Sequence, residues 1–148
     1  MAKALNLGLT AWSPLASGVL SGKYHGQGSS EPGRLSSDMM KGFLPEPERA
    51  GRIVAAVKTV SDQIGRSMAQ IALAWLRYRS LPVIPIIGAR KLSQLHDNLA
   101  RFEVTLSAEQ LKALDETSRI ELGFPHDFYA KEMVRTFIYG GLRDRILA

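Results

Sequence analysis

The pattern of apolar and polar positions predicts a first amphipathic helix over residues 49–64. Apolar side chains recur there at i, i+4, i+7 and i+11, the spacing of one face of an α-helix: Ile53, Val57, Val60 and Ile64. Gly65 follows at once, and a glycine in that place is typical of a helix that ends in a left-handed residue. We therefore expect this helix to bury one face in a core.

Capping boxes announce two later helices. Ser67 and Gln70 open one of them, and Ser107 and Gln110 open the other, with the spacing that lets each side chain accept a hydrogen bond from the backbone of its partner. The apolar positions that follow are expected to face the core: Met68, Ile71, Trp75 and Tyr78 in the first helix, and Leu111 and Leu114 in the second.

The remaining stretches give weaker signals. A short helix after residue 91 carries Leu92, Leu95 and Leu99, residues 118–129 read as a loop, and a last helix over 131–139 ends at Gly140. Residues 13–47 form a long segment rich in Gly, Ser and Pro. Segments of this length are either functional lids or disordered, and the sequence leaves both interpretations open.

Two short apolar runs predict β-strands, over residues 9–12 and 83–87. The second run lacks polar alternation, which is typical of a parallel strand buried on both faces. Pro85 interrupts it and has no N–H for a ladder, but the flanking β-branched residues favour a strand. Both runs end in loops, and ligand chemistry in α/β barrels is sited at such strand ends.

Composition excludes several classes of protein. With 45% hydrophobic and 22% charged residues in a chain of 148, and no apolar run near the roughly 20 residues that cross a bilayer, we expect a globular chain without a membrane partner. Zero cysteines exclude disulfides and thiol catalysis and indicate a cytoplasmic location. The first residues lack the pattern of a signal peptide.

Charge and histidine spacing exclude further functions. The net charge of +5 is spread along the chain, whereas a nucleic-acid reader shows a basic stripe interleaved with aromatics. A basic nucleic-acid-binding protein is therefore disfavoured. His25, His96 and His126 lie too far apart for a zinc helix, so we expect no metal site.

The strongest chemical signal is a phosphate-binding pattern after each strand. After the second strand a helix begins near residues 91–93, and its first N–H groups and positive dipole end attract phosphate. Arg90 adds a planar guanidinium that binds phosphate oxygens at two points. Because only NADP carries a 2′-phosphate, this pattern favours NADP over NAD.

Two segments carry a resemblance to a known family: Gly8-Leu9-Thr10-Ala11-Trp12-Ser13-Pro14-Leu15-Ala16-Ser17-Gly18, and Ile84-Pro85-Ile86-Ile87-Gly88-Ala89-Arg90 with residues 94–98. With them the chain resembles the C-terminal portion of an aldo-keto reductase, and its tail Gly123-Phe124-Pro125-His126-Asp127-Phe128 resembles the tail of bacterial members of the family. The resemblance implies an α/β fold, a partial TIM (β/α)8 barrel in which residues 1–148 hold the last two parallel strands with their helices and a helical C-terminal tail. A complete barrel needs roughly 250 residues, so we expect the N-terminal strands to be absent.

The resemblance also implies a binding site for NADP. The loop that wraps the pyrophosphate in the family corresponds to Ser13, Leu15, Ser17 and Gly18, and the segment that grips the adenosine end corresponds to Gly88, Arg90, Lys91, Gln94, Asp97 and Asn98. Asn98 would contact the adenine. Many NADPH-specific members carry a second arginine at Gln94, which leaves the 2′-phosphate to Arg90 and Lys91. Trp12 lies where the nicotinamide stacks, or is an aromatic of the barrel core.

The function implied is the reduction of aldehydes or ketones by hydride transfer from NADPH. The catalytic tyrosine, lysine, aspartate and histidine of the family have no match in this chain, so we expect no catalytic residue here and no activity from the chain alone. The alternative is a non-catalytic nucleotide-binding or regulatory module that uses the same loops. Because two lone strands leave edges and apolar faces uncovered, we also expect self-association or pairing with a complementing N-terminal portion.

Overall fold

The computed structural model describes residues 1–24, 46–142 and 145–146, which form parts of two compact units, Met1–Ser118 and Arg119–Ala148. In the first unit the elements are β1 Leu9–Trp12, α1 Pro47–Ile64, α2 Met68–Trp75, β2 Val83–Ile86, α3 Leu92–Leu99 and α4 Ala108–Ser118. Short 3-10 turns cover Ala16–Ser21, Leu76–Tyr78 and Ala100–Glu103. The predicted order of elements is confirmed.

β1 and β2 pair in parallel, with Leu9 opposite Val83 and Trp12 opposite Ile86. The backbone N–H of Leu9 donates to the carbonyl of Pro82 at 2.9 Å. Since alternate residues of a parallel strand face the same neighbour, this register turns the nitrogen of Pro85 away from β1. The proline therefore costs no ladder bond between the two strands, which explains why it is accommodated.

The prediction that the second strand is buried on both faces is wrong for this chain. Along β2 the residues alternate between half-buried and exposed, and Ile84 is 63% exposed. The sheet has two strands in the described part of the chain, so neither outer edge is covered by another strand there. A continuous apolar run indicates that both faces of a strand are suited to burial. Whether they are buried depends on the strands and helices that pack against it.

Helix ends follow the predicted local rules. α1 ends at Gly65, whose φ of 69° is left-handed and whose N–H donates to the carbonyl of Ser61. The backbone N–H of Gln70 donates to Ser67 Oγ and that of Ser67 donates to Gln70 Oε1, which confirms the capping box that opens α2. The same exchange joins Ser107 and Gln110 before α4.

The core of the first unit lies around α2, which packs against α1, α3 and the turn Ala16–Ser21. All seven residues from Met68 to Ala74 are buried, so α2 is enclosed on every side. The sequence predicted burial of one face only, which underestimates the buried part of this helix. Trp75 packs against the core, while Tyr78 lies beyond the helix, where its hydroxyl accepts a hydrogen bond from the N–H of Leu106 at 3.0 Å. The buried cluster joins three elements and two loops: Val19, Val54, Val57, Val60, Met68, Ile71, Ala74, Val104, Leu106 and Leu114.

The second unit holds two helices in its described part, α5 His126–Ala130 and α6 Glu132–Tyr139. α6 confirms the predicted last helix, and Gly140 ends it with a left-handed φ of 53°. The loop predicted for residues 118–129 is wrong from His126 onward, because a single short turn of helix gives no detectable periodicity. Most of the long segment predicted over 13–47 lies outside the described residues, as does His25.

Candidate functional site

The two strand ends lie side by side. Because Trp12 is opposite Ile86 in a parallel register, Ser13 and Ile87 leave the sheet at the same edge. The segments after them, with parts of α2 and α3, enclose a cleft of about 420 Å³ that we call the strand-end cleft. Its lining comes from three places: Ser13, Pro14, Leu15, Ser17, Gly18, Ser21 and Lys23 after β1; Ile86, Ile87, Gly88, Ala89, Arg90 and Lys91 at the end of β2; and Ala69, Gln94, Asp97 and Asn98 on helices.

Ten of the eleven residues expected at the cofactor line this one cleft, although they come from segments about seventy positions apart. The exception is Trp12, which does not line the cleft and whose side chain is 77% exposed. Its exposure does not distinguish the two alternatives given for Trp12, and both stay predictions. The parallel, adjacent arrangement of the two segments is confirmed.

The loop after β1 has an unusual backbone. Ser13, Ala16 and Ser17 have positive φ angles of 53°, 48° and 58°, and Gly18 has a φ of 96°. Left-handed conformations cost non-glycine residues roughly 1–2 kcal/mol each. The N–H of Ser17 donates to Ser13 Oγ at 3.2 Å and that of Ala16 donates to the carbonyl of Ser13 at 2.8 Å, so the loop stabilises this shape by its own hydrogen bonds.

Lys23 is the functional candidate that sequence reasoning missed. A Cβ placed on Gly18 would overlap the end of the Lys23 side chain, so the lysine folds back across the glycine to line the cleft. Its Nζ lies 5.3 Å from the centroid of the Tyr24 ring, and the Tyr24 hydroxyl donates to the carbonyl of Ser17. No spacing along the chain signals this position, because it depends on the left-handed path of the backbone through Ser17 and Gly18.

Gln94 organises the segment after β2. Its side-chain carbonyl oxygen accepts hydrogen bonds from the backbone N–H groups of Arg90 at 3.0 Å and Lys91 at 3.4 Å. The sequence predicted unpaired backbone N–H groups from Lys91 to Ser93, and this prediction is wrong at Lys91, whose N–H donates to Gln94. Gln94 instead shapes the turn that carries Arg90 and Lys91 into α3.

Asp97 and Asn98 lie one turn farther along α3. Both carboxylate oxygens of Asp97 accept hydrogen bonds of 2.8 Å from α2 and its cap, one from Ser67 Oγ and one from Gln70 Nε2. Asn98 is the most buried polar residue of the cleft, with 6% of its surface exposed.

The charge of the strand-end cleft is positive. Lys23, Arg90 and Lys91 line it, and Asp97 is its one carboxylate among the described residues. Asp97 accepts a hydrogen bond at each of its oxygens, from Ser67 and from Gln70, so three cationic residues and one hydrogen-bonded carboxylate line the cleft in the described part of the chain. This lining suits an elongated anion with separated phosphates.

The described residues also bear on metal binding and on membrane insertion. The described part of the chain holds no group of three or more His, Cys, Asp or Glu residues placed to bind a metal ion. No described helix is long and apolar enough to cross a membrane.

Comparison with known families gives a clear match. The model of the Aldo/keto reductase family covers residues 1–119, about four-fifths of the chain. The chain belongs to the aldo/keto reductase family. The predicted resemblance is thereby confirmed, and the fold of this family is a TIM barrel.

Three curated relatives show the range of names in the family. A "Probable voltage-gated potassium channel subunit beta" of Arabidopsis thaliana is 34% identical over 66% of this chain and 30% of its own length. An "Uncharacterized oxidoreductase" of Bacillus subtilis is 30% identical over 78% of this chain and 33% of its own length. An "Aryl-alcohol dehydrogenase [NADP(+)]" of Phanerodontia chrysosporium is 33% identical over 66% of this chain and 25% of its own length. The matched part of the chain thus spans a quarter to a third of the length of each of these relatives.

Proposed function

We propose that the protein is an NADP-dependent oxidoreductase that reduces aldehydes or ketones by hydride transfer in the cytoplasm. Residues 1–148 are the cofactor-binding C-terminal part of one barrel domain in this proposal. The observation that supports it is the convergence of the two segments after β1 and β2 on one cationic cleft. Strands 7 and 8 of a TIM barrel commonly carry the phosphate site, and a parallel strand pair of this kind fits that place.

The lining residues fit the parts of NADP. Lys23 would neutralise the pyrophosphate beside Ser13, Ser17 and Gly18, and Arg90 with Lys91 would bind the 2′-phosphate, for which guanidinium and ammonium groups are the usual partners. Asn98 would hydrogen-bond the adenine edge. Trp12, exposed at the end of β1, would stack on the nicotinamide. When bound, NADPH supplies the hydride that reduces the carbonyl carbon of the substrate.

This chain supplies binding and orientation, not the acid that protonates the reduced oxygen. The strand-end cleft is lined by no tyrosine or histidine among the described residues. We therefore expect the purified chain to leave NADPH unchanged when mixed with a reactive aldehyde. A steady loss of absorbance at the reduced nicotinamide band would contradict this expectation.

The cofactor proposal is tested by titrating the chain with NADPH and NADH in a calorimeter. Arg90→Ala should weaken NADPH about tenfold and leave NADH within a factor of two, because NADH has no 2′-phosphate. Arg52→Ala removes an exposed arginine of α1 that does not line the cleft and is the matched control. Equal losses for both nucleotides would remove the 2′-phosphate role from Arg90, and no binding of either would overturn the proposal.

A second candidate is a non-catalytic nucleotide-binding or regulatory module. The relative from Arabidopsis thaliana named as a potassium channel subunit supports it, because that name describes an assembly role and not a reaction. The affinity of the isolated chain separates the two candidates. A module built to sense NADPH should bind it below micromolar concentration on its own. If the strand-end cleft is completed only by the rest of a barrel, the isolated chain should bind NADPH far more weakly.

A further inference from the structure

Tyr24 connects the hydrophobic core with the part of the strand-end cleft that follows β1. The residue is half-buried and packs against the core cluster, and it does not line the cleft. Its side chain nevertheless contacts two residues that do. The hydroxyl donates a hydrogen bond of 3.3 Å to the carbonyl of Ser17, and the centroid of the ring lies 5.3 Å from Lys23 Nζ. One side chain held by the core therefore contacts both the loop backbone and a cation of the cleft.

The hydroxyl stabilises the left-handed part of the loop. Ser17 and Gly18 have successive positive φ angles of 58° and 96°, and this backbone is unfavourable for a serine. The N–H of Ser17 donates to Ser13 Oγ, and the Tyr24 hydroxyl supplies a donor for the carbonyl of the same residue. The carbonyl of Gly18 accepts from Ser21 Oγ at 2.7 Å. The bond from Tyr24 thus ties the left-handed turn to a side chain that packs against the core.

The ring orients the cation. The Lys23 side chain folds back across Gly18, where its Nζ would lie 2.9 Å from an added Cβ. An ammonium group within about 6 Å of the centroid of an aromatic ring is attracted by the face of that ring. A lysine side chain without such a contact adopts many rotamers, and ordering it on binding lowers the affinity. The ring of Tyr24 reduces this cost, because it holds Nζ beside the loop before a ligand binds.

We propose that Tyr24 is a positioning residue for the cofactor, whose hydroxyl fixes Ser17 and whose ring fixes Lys23, so that both are preorganised for the pyrophosphate. The inference rests on the proposed function, because its consequence is the affinity for NADP. It gives a role in binding to a residue that lies outside the cleft. Since the pyrophosphate is common to NADPH and NADH, Tyr24 contributes equally to the binding of both, in contrast to Arg90.

The test separates the hydroxyl from the ring in the full chain, with the dissociation constants for NADPH and NADH measured by calorimetry. Tyr24→Phe removes the bond to Ser17 and should weaken both nucleotides about threefold. Tyr24→Leu also removes the ring and should weaken both about tenfold. Tyr78→Phe is the matched control, because it removes a hydroxyl that accepts from the N–H of Leu106 away from the cleft, and it should leave both affinities unchanged. Wild-type affinity in Tyr24→Leu, or an altered ratio of NADPH to NADH affinity, would overturn the inference.

A comparison in a second background shows whether the ring acts through the lysine. Lys23→Met keeps a long side chain and removes its charge. In the Lys23→Met chain, Tyr24→Phe and Tyr24→Leu should bind NADPH equally, because the ring has no cation to hold. If the two variants differ there as they do in the wild-type background, the ring does not act through Lys23 and the inference is wrong.

NMR of the unliganded chain tests the contact independently of NADPH. The ring should shift the signals of the Lys23 Cε protons upfield, Tyr24→Phe should keep this shift, and Tyr24→Leu should abolish it. Identical Lys23 signals in the wild-type chain and in Tyr24→Leu would overturn the inference. A wild-type chain that shows the shift and does not bind NADPH would overturn only the proposed function.

Discussion

The side-chain oxygen of Gln94 accepts a hydrogen bond of 3.0 Å from the backbone N–H of Arg90. The family resemblance leads one to expect a second arginine at this position. Gln94 supplies instead an uncharged side chain that accepts hydrogen bonds from the backbone before α3. Arg90 is thereby held in a turn whose shape depends on an uncharged acceptor. In the proposed function, the preference for NADP over NAD should therefore be sensitive to the charge at residue 94.

Gln94→Glu should lower the ratio of NADPH to NADH affinity by roughly three- to tenfold, because it keeps an acceptor for the Arg90 amide and adds a negative charge near the 2′-phosphate. The helix should remain intact, since a carboxylate is favourable in the first turn. Gln110→Glu makes the same change in the Ser107–Gln110 capping box and should leave the ratio unchanged. The ratio is measured by paired calorimetric titrations, and an unaltered ratio in Gln94→Glu would contradict the placement of the 2′-phosphate.

Gly18→Ala should lower the free energy of unfolding by about 1–3 kcal/mol. The φ of 96° is unfavourable for alanine, and its Cβ would overlap the Lys23 side chain. Gly51→Ala is the matched control, because Gly51 lies inside α1 with open space around it. That change should raise the free energy of unfolding by about 0.5–1 kcal/mol. Urea denaturation followed by circular dichroism measures both, and equal effects would disprove the special backbone at Gly18.

The open sheet should make the isolated chain self-associate. Ile84 is 63% exposed on β2, and Trp12 and Ile86 are exposed beside it. Ile84→Lys should therefore shift sedimentation velocity profiles toward monomer, because a charge on the apolar face opposes its burial. Leu122→Lys alters an exposed leucine of the second unit and should change little. Association that is equally strong in both variants would show that the sheet is not the contact.

The pKa of Glu109 should lie below its ordinary value. The hydrogen bond from Ser107 Oγ is the main cause, and the residue's own backbone N–H adds to it. A lowered pKa means that this contribution to stability is present above the ordinary pKa of a glutamate and is lost as the pH falls through the lowered value. Ser107→Ala should return the pKa toward the ordinary value in a carboxyl-detected NMR titration. An identical titration in both proteins would contradict this account.

Local rules in the sequence predicted the helices and strands well. These rules act between residues that are close in the chain, so the local structure they predict depends little on the rest of it. They include the helix end at Gly65, the capping boxes at Ser67 and Ser107, and the two apolar runs that form strands. Burial is a long-range property, and the exposure of Ile84 could not be read from its run of β-branched neighbours. The short helix at His126 gave no periodic signal, because its 5 residues make little more than one helical turn.

Most of the residues that line the cleft could be predicted from the sequence, but the contacts that position them could not. Ser13 and Arg90 could be assigned to one site because parallel strand ends meet at one edge of a sheet. Lys23 could not, since its place depends on the left-handed path through Ser17 and Gly18. The use of Asp97 as an acceptor for Ser67 depends on the distance between two helices, which no spacing along the chain encodes.

The central claim is that the segments after β1 and β2 form one cradle for a pyridine nucleotide. It is tested most directly by adding NADPH to the 15N-labelled chain and mapping the amide shifts. The account predicts that residues 13–23 and residues 88–98 shift together along one binding curve, with α4 unaffected. Shifts confined to one of these segments, or none at saturating NADPH, would contradict it.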